Sequence, residues 1–341
     1  MRDFGCPHCG QQLTFENSLC LSCRSRLGFS LAQRTLVVIG RDPEGDVETS
    51  GVVDSSQYRL CKNLHLARCN WVVETSDEVG LCESCTLTRT RPSDTDKAAL
   101  DAFADAEGAK RRLIFELVEL GLPIIGREQD TVTGLAFDLL SSRREKVMTG
   151  HFNGVITLDL AESDDVHREQ LRVEMAEPYR TVLGHFRHEI GHYYFGILVG
   201  NADTRAEFES LFGDPDSSYQ DALDRHYREG APAGWERTFV SSYATMHPSE
   251  DWAETFAHYL HIRDTVDTAA AFGFARSGVA LDHQLLGASG FDRIIEEWLP
   301  LSWALNQLNR SMGRPDLYPF VLPAAVLEKM RFVYRLVTSA T

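Results

Sequence analysis

No cysteine occurs after Cys85: all eight lie between Cys6 and Cys85, and the remaining three quarters of the 341-residue chain have none. No apolar run approaches the ~18 residues a membrane span needs, so no membrane partner is expected. The opening Met1-Arg2-Asp3-Phe4-Gly5-Cys6 lacks the apolar stretch of a secretory signal, and the expectation is a soluble, cytoplasmic protein. Without an export route, the cysteines are not expected to form disulfides. Basic residues are scarce too: 34 Lys and Arg stand against 50 Asp and Glu, for a net charge of -16. Such a surface repels phosphate backbones and anionic membranes.

The acidity is unevenly spread. Residues 1–95 carry ten basic and twelve acidic side chains, which leaves 24 and 38 for the rest. The polar run Thr88-Arg89-Thr90-Arg91-Pro92-Ser93-Asp94-Thr95-Asp96 follows the last cysteine closely. We therefore expect a cysteine-rich domain over 1–90, a linker over 91–97 and a second domain over 98–341.

Past the linker the pattern is helical. Asp94 or Ser93 can cap a helix running to about Leu120, ended by Gly121-Leu122-Pro123. Asn153-Gly154 between two apolar alternating runs, Val147–Phe152 and Val155–Leu160, predicts a hairpin, because both turn positions need positive φ. In the second strand Ile156, Leu158 and Leu160 share one face. From Glu177 to about Val199 the period predicts a helix with Phe186, Ile190, Tyr193 or Tyr194, and Ile197 as its core stripe. A loop rich in Asp, Gly and Pro is expected over Phe212–Gly234. Another helix opens near Pro248-Ser249, and the stretch from Trp298 reads as helices broken by Gly313-Arg314-Pro315. The fold class is α+β, an N-terminal cysteine-rich domain followed by a mainly helical domain with a small antiparallel sheet.

Cys6-Pro7-His8-Cys9 and Cys20-Leu21-Ser22-Cys23 are two C-x-x-C knuckles separated by ten residues. A two-residue gap lets both thiolates of a tight turn reach one tetrahedral zinc. Cys61, Cys69, Cys82 and Cys85 make a second quartet with only one standard knuckle, with a longer loop between Cys61 and Cys69. His8 and His65 are substitute donors for the two sites. A small, turn-rich domain of this kind needs metal to fold. Its near-neutral charge and the lack of a basic, aromatic-interleaved stripe argue against nucleic acid, and a protein partner suits it better.

The most chemically specific stretch is His188-Glu189-Ile190-Gly191-His192. Histidines at i and i+4 of a helix point the same way and can reach one metal, while the glutamate between them reaches metal-activated water without ligating. That is why H-E-x-x-H recurs in metalloproteases. The longer motif with a third histidine six residues on is not met, since that position is Leu198. A third ligand must come from farther along. Glu250, Glu254, His258 and His261 lie along one face of the downstream helix and are all candidates. A ligating imidazole also needs its other nitrogen held, and an acid one turn along the ligand helix can do that. His185 reads as a histidine near the site, His247, His258 and His261 as packing or substrate-wall residues, and Arg310 as a candidate clamp for a substrate carboxylate.

Taken together, the cysteine knuckles from Cys6, the hairpin, the His188–His192 motif and the run Tyr243-Ala244-Thr245-Met246-His247-Pro248-Ser249-Glu250-Asp251-Trp252-Ala253-Glu254 resemble zinc-binding metallopeptidases of the gluzincin type that carry an N-terminal zinc ribbon. The resemblance covers nearly the whole chain. It implies a zincin-like second domain, Glu250 as third zinc ligand, Glu254 as the acid that orients a ligand histidine, and Tyr243 as an oxyanion donor. On this reading the cofactors are one catalytic and two structural zinc ions, Glu189 is the general base, and a peptide or protein is the substrate. The strand Val155–Leu160 is the expected sheet edge for that substrate. Two other readings stay open: a zinc-ribbon binding or regulatory protein with a non-catalytic metal site, and an amide hydrolase acting on something other than a peptide.

Overall fold

The computed structural model describes residues 2–41, 57–142, 146–163, 181–274 and 288–340. Glu177–Arg180, expected to open a helix, lie outside them.

The cysteine-rich part is built from three antiparallel two-stranded sheets. Strands β1 (Phe4–Gly5) and β2 (Gln12–Leu13) pair, as do β3 (Ser25–Ser30) with β4 (Thr35–Arg41), and β5 (Tyr58–Leu60) with β6 (Val72–Glu74). A one-turn helix α1 (Glu83–Thr86) carries the last knuckle and leads into β7 (Thr88–Thr90). That strand does not stay with the cysteines. It pairs in parallel with β8 (Ala136–Leu140), at one edge of a four-stranded sheet ordered β7-β8-β10-β9.

The expected hairpin forms the other half of this sheet, β9 (Gly150–Phe152) antiparallel to β10 (Val155–Asp159). Asn153 and Gly154 have φ of 46° and 77°, as a two-residue turn of this hand requires. The sheet is larger than the hairpin and mixed, because β8 adds to β10 in parallel. Strand β10 is therefore interior, and the edge is β9: the position of Val155–Leu160 as a substrate-facing edge is corrected. The reason is that β8, a short apolar run the sequence reading passed over, occupies β10's other side. Ile156, Leu158 and Leu160 are buried as expected.

Helix α2 (Lys97–Glu119) joins the two halves. Its cap is Asp96, whose carboxylate accepts from the Ala99 N–H, rather than Asp94 or Ser93. Residues 91–96 hold neither helix nor strand. Phe115 packs on Phe15 and Phe29 with ring centroids 5.5 and 5.3 Å apart, so the helix and the cysteine-rich part share one aromatic core.

The remaining helices are α3 (Val182–Leu198), α4 (Ala202–Phe212), α5 (Tyr219–Glu229), α6 (Pro248–Ala271), α7 (Ala288–Ser311) and α8 (Ala324–Ser339). Helix α5 lies within the expected 212–234 loop. It buries only Ala222, so it has no apolar stripe for a pattern search to find; Ser218 caps it and Gly230, at φ 72°, ends it. In α3, Ile197 is 39% exposed and Leu198 is buried in its place. Among the described residues no helix is long and apolar enough to cross a membrane.

Candidate active site

The Thr181 hydroxyl accepts from the Gly184 N–H at 2.9 Å and starts α3. Phe186, Ile190 and Tyr194 then bury one side of that helix, leaving His188 and His192 half-buried on another. Helix α6 begins with Pro248 at its first position. The His247 ring caps it, with Nδ1 accepting from the Ser249 N–H at 3.1 Å. His247 is thus a helix cap rather than part of a substrate wall.

The two helices meet at Gly191. Its carbonyl accepts from Trp252 Nε1–H at 2.8 Å, and a Cβ there would lie 3.1 Å from Ala253 Cα. This close approach lets side chains of both helices converge. His188 Nε2 and His192 Nε2 are 3.2 Å apart, and Glu250 Oε2 lies 3.0 Å from the first and 3.5 Å from the second. Around a tetrahedral ion with bonds of ~2.0–2.1 Å, neighbouring donors sit about 3.3 Å apart, so the triangle has the dimensions of a zinc site.

Glu254 stands behind this triangle. Its Oε1 is 2.8 Å from His188 Nδ1, and its Oε2 accepts from the Ser241 hydroxyl at 2.6 Å. A proton on Nδ1 shared with that carboxylate leaves the Nε2 lone pair facing the other donors. Burial would raise both acids, but the imidazoles override it: His188 holds Glu254 down to about 2, and His192 with His188 hold Glu250 well below the ordinary range. Two ionised carboxylates around two imidazoles suit a divalent cation. Next to His188, Arg187 is buried in ion pairs with Glu116 at 3.0 Å and Asp264 at 2.8 Å, which lock α3 to α2 and α6.

Glu189 is 8% exposed on the same helix. Tyr243, in a short turn before α6, has its ring 6.0 Å from that of His188. Burial and the Glu250 charge push its phenol far above the ordinary value, so it stays a donor. Three neighbours escaped the sequence reading. Tyr219 donates to Glu250 Oε1 at 3.1 Å, Ser241 holds Glu254, and His151 of β9 stacks on His192 with ring centroids 6.5 Å apart. Tyr219 had a weak signal in the Ser218 cap before it; Ser241 and His151 had none.

The other candidates are not among the three converging donors. His258 is buried with Nδ1 2.7 Å from the Tyr318 hydroxyl, and His261 stacks on Tyr318. Arg310 pairs with Asp316, and His185 is not among the converging donors. A cleft of about 530 Å³ beside Arg89, Arg127, Met148, Phe152 and Thr157 takes in none of the three donors.

In both cysteine quartets the four sulfurs gather within 4.8 Å, without His8 or His65. The Cys6–Cys23, Cys9–Cys20 and Cys69–Cys82 sulfurs are each 3.6 Å apart. A disulfide would need about 2.05 Å, whereas thiolates around one zinc at ~2.3 Å lie nearly 3.8 Å apart. These are metal sites in their dimensions.

Comparison with known proteins agrees with this chemistry. Residues 99–336 match a family described as "putative zinc-binding metallo-peptidase", and residues 3–96 match a zinc-ribbon domain. Uncharacterized proteins of Mycobacterium tuberculosis and Mycobacterium bovis are 64% identical over 338 residues, covering 99% of this chain and 95% of theirs. No solved structure matches the chain.

Proposed function

The chain belongs to this zinc-binding metallo-peptidase family, and from that premise we propose that it hydrolyses peptide or related amide bonds, with Glu189 as general base. The observation that carries the proposal is the triangle of His188 Nε2, His192 Nε2 and Glu250 Oε2, with Glu254 on the far nitrogen of His188. We assign His188, His192 and Glu250 as ligands of one catalytic zinc. Cys6, Cys9, Cys20 and Cys23 would hold one structural zinc, and Cys61, Cys69, Cys82 and Cys85 a second. The chain then divides into a ribbon unit (1–90), a joint (91–97) and a hydrolase unit (98–341), with strand β7 of the first pairing into the sheet of the last and Lys97 of the joint opening α2.

Zinc at the three-ligand site would supply Lewis acidity, polarising a carbonyl and bringing the pKa of water toward about 7. Glu189 accepts the proton of the attacking water and returns it to the leaving amine. Tyr243, kept protonated by its surroundings, donates to the oxyanion that develops. Glu254 keeps the His188 ring in the orientation the site needs. Strand β9, the sheet edge whose His151 touches His192, is where an extended substrate would add its backbone. A closed structural metal site has no use for a carboxylate such as Glu189 beside it, which favours hydrolysis over a purely structural or regulatory role.

The test is cleavage of a peptide library by the parent and by Glu189→Gln. The parent should cut, while the variant keeps its zinc and loses several orders of magnitude in rate, because an amide cannot take the water's proton. Equal cleavage by both proteins would sink the mechanism.

A further inference from the structure

Glu250 uses its two oxygens differently. Oε2 faces the two imidazole nitrogens, and Oε1 points the other way, accepting from the Tyr219 hydroxyl at 3.1 Å. Tyr219 is an unexpected partner, since the residue is 43% exposed at the start of a polar surface helix whereas Glu250 is 3% exposed. The local structure explains how it is held. Ser218 caps α5 by accepting from the Asp221 N–H, which fixes Tyr219 as the first helical residue. Its ring lies 5.3 Å from that of His247, which caps α6 and has Nε2 3.1 Å from the Ser217 hydroxyl. Glu250 is the third residue of α6. The starts of α5 and α6 are therefore tied together, and the phenol meets the carboxylate because both helix ends are pinned to one imidazole.

We infer that Tyr219 is a positioning residue that restricts Glu250 to one-oxygen ligation of the catalytic metal, keeping a coordination position open for water. The inference rests on the assignment of Glu250 as a ligand. A carboxylate with both oxygens free can turn to offer both, and a second oxygen would take the place a catalytic site must leave open. The phenol prevents this by occupying Oε1 on the side away from the imidazoles. Hydrogen-bonded support of a ligating carboxylate is typically worth about 10–100-fold in metal affinity or activity. Tyr243 stands differently: no hydrogen bond joins it to Glu250 among the described residues, its ring packs near that of His188, and its hydroxyl is hydrogen-bonded to the Tyr219 phenol.

The test is Tyr219→Phe, which keeps the ring and the Ser218 cap and removes only the hydroxyl. Brief chelation empties the three-ligand site while the cysteine quartets keep their zinc, and cobalt(II) is then loaded in its place. The visible bands of cobalt are intense when the ion has four ligands and weaken several-fold when it gains a fifth. Parent protein should give the intense spectrum and Tyr219→Phe the weak one. An unchanged spectrum in Tyr219→Phe at full cobalt occupancy would overturn the inference. The spectra need no substrate. A protein that cleaves no peptide yet shows the expected change supports the role of Tyr219 while the hydrolase reading falls, and an active protein with unchanged spectra does the reverse.

Discussion

Gly191 and Ala253 touch so closely that the two metal-donor helices form one unit: a Cβ on the glycine would meet Ala253 Cα at 3.1 Å and Phe256 Cβ at 3.2 Å. Neither neighbour is a flexible side-chain end, so a larger residue must push the helices apart. Gly191→Val should cost about 1–3 kcal/mol through overpacking, read as a lower midpoint in denaturant. It should also loosen the metal, since the donors on α3 and α6 separate along the same line. A variant that unfolds like the parent and holds all its zinc would show that the crossing does not set the donor triangle.

Glu250 and Glu254 share a helical face, and their atoms divide the labour between them. Glu250→Ala removes one of three converging donors and should empty the site at micromolar free zinc. Glu254→Ala leaves all three in place and takes away the partner of His188 Nδ1. It should keep its zinc through mild dialysis and lose about 10–100-fold in affinity or rate. Zinc content by atomic absorption decides between them, and an empty site in Glu254→Ala alone would reverse the two roles.

Arg111 of α2 is 3% exposed, with Nη2 3.2 Å from the Arg68 carbonyl oxygen and Nη1 without a hydrogen-bond partner among the described residues. Against Cys61 and burial, which push the Cys69 thiol up, hydrogen bonds with Cys82 and Cys85 hold it below its ordinary value, and the Arg111 charge adds to them. Four thiolates around one zinc carry a net charge of -2, and a buried cation from α2 offsets part of it. Arg111→Met should release the second quartet's zinc to a chromogenic chelator about tenfold faster, with the first quartet unchanged. Equal release rates would make Arg111 a packing residue only.

Much of this arrangement was legible because it is local. The C-x-x-C knuckles, Asn153-Gly154 and the spacing of His188 and His192 each encode geometry within a few residues, and each forms. Spacing alone narrowed Glu250 and Glu254 to one face of a helix; only the resemblance separated them, as ligand and supporting acid, because their roles depend on where α3 crosses α6. That crossing rests on Gly191 meeting Ala253, which no period in the sequence announces. Tyr219 was hidden for another reason. Its helix packs by almost nothing apolar, so the pattern that reveals a core-facing helix is missing, and its function reaches across to a residue 31 positions away. The joint over 91–97 was readable as polar and proline-bearing. That β7 just before it would leave the cysteines for the four-stranded sheet was not, because three residues alternating Thr-Arg-Thr give no hint of their partner.

The buried histidine behind the site should make the protein labile to acid. Burial holds His258 down to about 4, against about 6.5 for an exposed imidazole, even though the Glu254 charge pulls the other way. Among its neighbours are the Tyr318 hydroxyl at 2.7 Å and the Phe320 ring at 4.4 Å. Below pH 6.5 the unfolded chain takes up a proton that the folded one refuses until about pH 4. Stability from this group is therefore fully present above 6.5 and is lost as pH falls through that window. At about 1.4 kcal/mol per pH unit, the loss between pH 7 and pH 5 is on the order of 2 kcal/mol. His258→Asn keeps a polar atom toward Tyr318 and cannot titrate. Urea unfolding at the two pH values should show the parent losing about 2 kcal/mol more than the variant. Release of zinc in acid affects both proteins alike and cancels in that difference, so equal losses would mean that His258 is not the acid-sensitive group.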